Sequence, residues 1–486
     1  MQLSEQPCDS QRLGAIAGAF LSRAIGQTCG MKRTAYFLSA FTSIFFAMIF
    51  GATSADSTKP NWPRWRGPLA NGVAPLAEPP VKWSETENVK WKLKIPGFGT
   101  STPIIWEDQV FILTAIPSGK GTPPARAPAA VPPSETTDRQ RPRPGGFGRW
   151  QPPAEPYQFV VLAVDRATGK IRWQKTAREQ LPHEGHHRDH GFASASPVTD
   201  GEYLFASFGS RGLYCYDLNG ALKWEKDLGD MQTRNGFGEG SSPALHGDTV
   251  VVLWDHEGDD FIIALDKRTG DERWRQKRDE PTTWSTPLIV EHDGKAQVIV
   301  SATNKIRSYD LTTGQPLWEC GGMTANAVPT AVSDFGLVYA TSGFRGSALL
   351  AIKLGRTGDL TGTDAIAWEH HKSTPYVPSP LLFGERLYFF AGNNGTLSCF
   401  AAKTGKPHFE AERIGDLLGG VYGSPVGANG RVYLTGRDGK FVVIKDADQL
   451  EVLASNKLDD RFDASPAAVG KQLFLRGHQS LYCIAE

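Results

Sequence analysis

Short alternations of apolar and polar residues recur through the chain beyond residue 100, each only four to six positions long. Tyr203-Leu-Phe-Ala-Ser207, Val250-Val-Val-Leu-Trp254, Leu337-Val-Tyr-Ala-Thr341, Leu387-Tyr-Phe-Phe390 and Arg431-Val-Tyr-Leu-Thr435 are the clearest cases. A period of two in runs this short predicts half-buried strands, and helical periodicity of any length is scarce. Each run follows a small or polar residue and a proline: Thr102-Pro103, Ser196-Pro197, Ser242-Pro243, Thr286-Pro287, Val328-Pro329, Ser379-Pro380, Ser424-Pro425 and Ser465-Pro466. Proline is tolerated at the first residue of a strand, where its missing N–H costs little. After the first pair the spacings are 46, 44, 42, 51, 45 and 41 residues, with 94 between the first two openings.

Each unit ends on a second signature. Ala163-Val-Asp-Arg-Ala-Thr-Gly-Lys-Ile-Arg-Trp173 repeats as Ala264-Leu-Asp-Lys-Arg-Thr-Gly-Asp-Glu-Arg-Trp274, and more loosely as Ser308-Tyr-Asp-Leu-Thr-Thr-Gly-Gln-Pro-Leu-Trp318. The structural positions are therefore Asp165, Gly169 and Trp173, then Asp266, Gly270 and Trp274, then Asp310, Gly314 and Trp318, with Trp224 in a copy one residue shorter. Asp and Thr side chains can hold a tight turn that glycine closes, and the outgoing strand carries a large ring that needs a neighbouring unit to cover it. Four antiparallel strands every 40–50 residues predict an all-β, eight-bladed β-propeller. The eighth unit stops at Leu481-Tyr-Cys-Ile484 without an outer strand, and Val89-Lys-Trp-Lys-Leu93 supplies one from the other end of the chain. The N-terminal strand 89–93 is thus expected to complete the last blade and close the ring, pairing edges that an open array would expose.

The remaining segments read differently. Residues 34–50 carry no charge, follow Lys32-Arg33 and precede small residues, which is the order of a secretory signal. Residues 31–55 are read as a signal peptide or an uncleaved membrane anchor, and residues 1–30 as a misassigned upstream extension, because Met31 directly precedes the basic pair. No Cys follows the apolar run, which argues against a lipid anchor. Residues 56–84 form a lead-in to the ring at 85–486. A Pro- and Arg-rich stretch at 117–156, expected to be disordered, accounts for the long first gap by insertion between the second and third strands of blade 1. The chain has 52 basic and 52 acidic side chains, a balance that gives no reason to expect nucleic acid as a partner. Cys215, Cys320, Cys399 and Cys483 fall in different repeats and are expected to be small buried hydrophobes rather than disulfides.

The Ala-x-Asp-x-x-Thr-Gly-x-x-x-Trp unit in an eight-fold array resembles the pyrroloquinoline-quinone (PQQ)-like propeller repeat. The lead-in Trp62-Pro-Arg-Trp-Arg-Gly67 and the ending Leu475-Arg-Gly with Leu481-Tyr-Cys-Ile484 look like the exported propellers of this type found in planctomycete-type bacteria. The resemblance implies one of two roles: a BamB-like, cofactor-free module in the cell envelope that binds partner proteins, or a quinoprotein dehydrogenase with PQQ and Ca²⁺ over the axis. The adjacent cysteines of quinoprotein alcohol dehydrogenases are missing, and so is the Cys-x-x-Cys-His of a covalent haem.

Function is expected on the face carrying the loops between blades and the hairpins joining second and third strands, since loops on a rigid ring are free to vary. Candidate ligand-binding residues there are Arg234, Asn235, Glu239, Trp284, Arg345, Tyr376, Arg437, Arg461 and His478, with Asn326, Tyr422 and Asp438 beside them. Arginines converging from several blades suit an anionic ligand. Four of the eleven histidines lie in His183-Glu-Gly-His-His-Arg-Asp-His190, so His183, His186, His187 and His190 are candidate metal ligands. Asp255, Glu257 and Asp259 alternate as Ca²⁺ ligands do, without the full twelve-residue loop. The expected role is an exported, periplasmic or extracellular binding or scaffold module with a protein or glycan partner and no cofactor. The alternatives are a PQQ- and Ca²⁺-dependent oxidoreductase and a metal-dependent hydrolase.

Overall fold

The structure is a computed structural model, and it describes residues 60–119 and 149–486. The signal, the upstream extension and residues 120–148 of the insertion lie outside the described residues. Eight antiparallel sheets make eight blades. Their innermost strands are Ile104–Trp106, Val198–Thr199, Ala244–His246, Leu288–His292, Val332–Asp334, Leu381–Phe383, Val426–Ala428 and Ala467–Val469. The outermost strand of blade 8 is Val89–Lys94, paired antiparallel with Ser480–Ile484 from Val89↔Ile484 to Lys94↔Ser480. The ring is closed as the pattern predicts.

The repeat signature proves to be a contact between blades. The turn glycines have positive φ, 72° at Gly169 and 74° at Gly270, where a side chain would be strained. Each also lies flat against the ring of the preceding blade. A Cβ on Gly169 would come within 2.6 Å of Trp91, on Gly270 within 2.8 Å of Trp224, and on Gly314 within 2.6 Å of Trp274. The indole N–H then donates to a carbonyl of the same turn: Trp91 to Arg166, Trp173 to Leu218, Trp224 to Lys267, Trp274 to Leu311 and Trp368 to Ala402, at 2.8–3.0 Å. The Asp of the signature closes its own turn, Asp165 Oδ1 accepting from the N–H of Ala167 and the N–H and hydroxyl of Thr168. Trp318 departs from the rule because blade 5 has no such turn. Residues Gly358–Asp359 instead add a short parallel strand to Pro316–Cys320, and the Trp318 N–H donates to Gln297 Oε1 at 3.0 Å.

A second belt runs around the axis. The backbone N–H of Thr102 donates to the Ser196 hydroxyl, Ser196 to Ser242, Ser242 to Thr286, Thr286 to Thr330, Thr330 to Ser379, Ser379 to Ser424, and Ser424 to Ser465, at 2.8–3.1 Å. These are the residues before the opening prolines, now seen to join each blade to the next. In blade 5 the expected opening Val328-Pro329 is corrected to Thr330-Ala331: Val328 has no hydroxyl to place in the belt, and Thr330 takes the position.

The lead-in crosses the axis below the belt. Trp62 bridges to Ile105 of blade 1, and the Pro63 carbonyl accepts from Thr199 of blade 2. Arg66 donates to the Pro380 and Pro425 carbonyls of blades 6 and 7 at 2.7 and 2.8 Å. The four cysteines named above are free and buried. The insertion falls between the second and third strands of blade 1, Gln109–Pro117 and Tyr157–Asp165. Pro117 ends the strand Gln109–Pro117, and residues 149–156 are laid against the loop face, where the Trp150 N–H donates to the Asn235 carbonyl.

Candidate functional site

The ring leaves an axial cavity of about 550 Å³ that opens on the loop face. Its lining comes from loops of every blade, because each blade contributes the segment leading into its inner strand. Of the expected ligand-binding residues, Arg234, Asn235, Trp284, Arg345 and Tyr376 line it, together with Asn326 and Tyr422. The Trp284 N–H donates to the Gly238 carbonyl at 2.7 Å, which fixes the indole, and Tyr376 stacks on Phe344 with centroids 4.9 Å apart. Arg345 is held at φ 55°, a left-handed conformation that costs a residue with a Cβ about 1 kcal/mol or more. Arg188, Arg234 and Arg345 line the cavity, and among the described residues no carboxylate meets any of the three.

Arg437, Arg461 and His478 gather instead on one side of the mouth around two carboxylates. Asp463 accepts from Arg437 Nε at 2.5 Å and lies 2.9 Å from His478 Nε2. Asp189 meets Arg437 at 3.0 Å and Arg461 at 2.7 Å, while the Arg437 guanidinium lies 3.5 Å from the Tyr422 ring centroid. The loop entering blade 2 is thereby tied to blades 7 and 8. Burial pushes the Asp189 carboxyl up, but the hydrogen bond and charge of Arg437, with Arg461, outweigh it and hold the pKa at about 2. A depressed carboxylate contributes in full above its unfolded value near 3.9 and loses that contribution as pH falls through the folded value. This tie is therefore expected to hold from neutral pH to about 4 and to fail near 2. Asp189→Asn should release it at pH 7, speeding amide exchange in 182–191 by about ten- to a hundredfold or more, the equivalent of about 1.5–3 kcal/mol for charge-assisted bonds. Unchanged exchange would show that other contacts hold the loop.

The remaining expectations come apart. Glu239 turns away from the axis into a separate cavity of about 50 Å³, where it accepts from the Ser210 hydroxyl at 2.5 Å and N–H at 2.7 Å. Burial raises its pKa against the pull of those bonds. Asp438 sits at the rim, beside Lys440 and the backbone of Gly419. The four histidines do not converge. His183 Nε2 donates to the Met231 carbonyl at 2.5 Å and its Nδ1 accepts from Arg211, while the His186 ring bonds the His187 carbonyl. His190 Nδ1 accepts from the Gly191 N–H and the Ser194 hydroxyl, and burial, with the neighbouring histidines, lowers its pKa to about 3. Asp255 forms a buried pair with Arg278, Glu257 accepts from Thr282, and Asp259 is exposed. Among the described residues no three His, Cys, Asp or Glu side chains are grouped to hold a metal ion. A planar polyanion such as the quinone fits the cationic walls, but the carboxylates at the mouth, Asp189 and Asp463, are already taken by arginines. Among the described residues the donor set for its Ca²⁺ is not assembled there.

Arg188, Asp189, Asp463, Phe344, Trp65 and the hydroxyl belt were not among the expected site residues. Only the belt had a sequence signal, the residues before the openings, and that signal marked strand starts.

A family model described as "Outer membrane protein assembly factor BamB" matches residues 158–407. No curated protein matches the chain. Among solved structures, BamB from Moraxella catarrhalis is 16% identical over 67% of this chain and 93% of its own, with a TM-score of 0.49. A europium-containing methanol dehydrogenase is 11% identical over 90% of this chain and 100% of its own, with a TM-score of 0.59. A quinohemoprotein alcohol dehydrogenase from Comamonas testosteroni is 10% identical over 88% and 80%, with a TM-score of 0.57. At these identities the two dehydrogenases share the fold alone with this chain.

Proposed function

The chain belongs to the family described as outer membrane protein assembly factor BamB, and from that premise we propose that it is an exported binding module of the cell envelope. It acts without catalysis, holding a protein or glycan partner at its loop face, in the periplasm or outside the cell. The observation that carries the reading is the axial cavity walled by Arg188, Arg234 and Arg345, none of which has a carboxylate partner among the described residues. Cations with no carboxylate partner among the described residues favour an anionic partner in a concave site, whereas the acids at the mouth are already neutralised by Arg437 and Arg461. Immobilised protein should retain a defined component of envelope extract, released by moderate salt and lost in Arg234→Glu/Arg345→Glu. Equal retention by the double variant would remove the cavity from the account. The dehydrogenase alternative would gain ground if added PQQ and Ca²⁺ produced dye-linked alcohol oxidation.

A further inference from the structure

We propose that the axial cavity is a receptor for an acidic saccharide, which enters from the loop face with a carboxylate or sulfate group foremost. The proposal rests on the binding-module reading and names its ligand.

The floor comes first. Ser196, Ser242, Thr286, Ser424 and Ser465 line the cavity, and each hydroxyl accepts a backbone N–H from the preceding blade. A hydroxyl that accepts one bond keeps its own hydrogen to donate. Among the described residues none of these five hydroxyls donates to a protein acceptor, and all but Thr286 are buried. The belt therefore offers the cavity an arc of five O–H donors. Behind it, outside the cavity lining, lies Arg66, fully buried and bonded among the described residues to carbonyls alone, two of them on the prolines that follow Ser379 and Ser424 of the belt. Burial lowers its pKa to about 9, so it stays cationic at neutral pH. A buried cation without a counter-charge is costly, and an oxyanion seated on the belt would offset it.

The walls decide what carries the oxyanion. Arg188, Arg234 and Arg345 add charge above the belt, while Trp284, Tyr376 and Phe344 supply aromatic surface between them. Flat rings suit the C–H faces of pyranoses, and guanidinium forks suit carboxylate and sulfate equally. An acidic peptide is the weaker fit. Extended peptides bind by adding to a free strand edge. Here the N–H groups that open the inner strands are already given to the belt hydroxyls, from Thr102 round to Ser424. Trp65 lines the cavity from the lead-in that crosses the axis, so the space is blind and takes the end of a chain. Its volume of about 550 Å³ lies within the range of small-ligand sites.

The test is calorimetry, with quenching of tryptophan fluorescence as a second readout, using trigalacturonate, a sulfated heparin disaccharide, maltotriose and triglutamate. At least one acidic sugar should bind about tenfold or more tighter than maltotriose, with trigalacturonate reporting carboxylate alone and the heparin disaccharide carboxylate together with sulfate. Arg234→Gln/Arg345→Gln should weaken it about tenfold or more without moving the thermal midpoint, because among the described residues neither guanidinium has an ion-pair partner to lose. Arg268→Gln on the opposite face should leave affinity unchanged. Equal binding of maltotriose, or indifference to the double substitution, would overturn the proposal. Binding of triglutamate alone, sensitive to the same substitutions, would overturn the saccharide and leave the cavity as the binding site. If none of the four probes binds, the saccharide falls. The binding-module reading falls with it only if envelope material is also retained equally by the Arg234→Glu/Arg345→Glu protein.

Discussion

Excision of residues 85–95 is expected to leave no folded ring. The segment supplies Val89–Lys94, the outer strand of blade 8, and its loss bares Ser480–Ile484, where Leu481, Tyr482, Cys483 and Ile484 are fully buried. It also removes Trp91, which is 9% exposed, covers Gly169 of blade 1 and donates to the Arg166 carbonyl at 3.0 Å. That indole alone is worth about 3–5 kcal/mol on truncation to alanine. The lost ladder, the bared edge and the missing contact to blade 1 together exceed the 5–15 kcal/mol or so that holds an ordinary domain folded. Circular dichroism should show no cooperative thermal transition, and Trp91→Ala should melt below wild type while still melting cooperatively. A deletion that melts like wild type would mean that the terminal strand contributes nothing to closure.

The second large effect is expected at Arg278→Met, at a cost of about 3–5 kcal/mol. Arg278 and Asp255 have side chains with no exposure, joined by two bonds of 2.6 and 3.0 Å. A third bond runs from Arg278 to the Tyr309 hydroxyl at 2.5 Å, linking blades 3 and 4. Removing the cation strands a carboxylate in a dry interior, and most of the cost lies in that stranding rather than in the worth of the pair. Adding Asp255→Leu to the same chain should therefore recover most of the stability. Urea midpoints of the two variants decide the matter, and equal midpoints would show that Asp255 is hydrated once its partner is gone.

The fold was legible because its governing contact repeats at fixed spacing. At five of the eight blade junctions glycine meets tryptophan, because one blade's glycine has no room for a side chain beside the previous blade's ring. Where that contact is replaced, at Trp318 and Gln297, the sequence unit persists while its partner changes, and nothing local signals it. The site was legible only in part. Arg234, Trp284, Arg345 and Tyr376 stood out as large side chains on loops, and the ring brings them to one cavity. Asp189 and Arg437 lie 248 positions apart and meet only because the ring closes, so no spacing rule reaches them. The histidines of 183–190 misled for the opposite reason. Neighbours in an irregular loop share no face, and four rings in eight residues turned to separate partners.

The lead-in makes the molecule a cup rather than a pipe. Its contacts to blades 1, 2, 6 and 7 strut the end away from the loop face, so among the described residues the way in and out for solute is the loop face. Whatever enters must leave by the way it came, which suits retention and rules out threading.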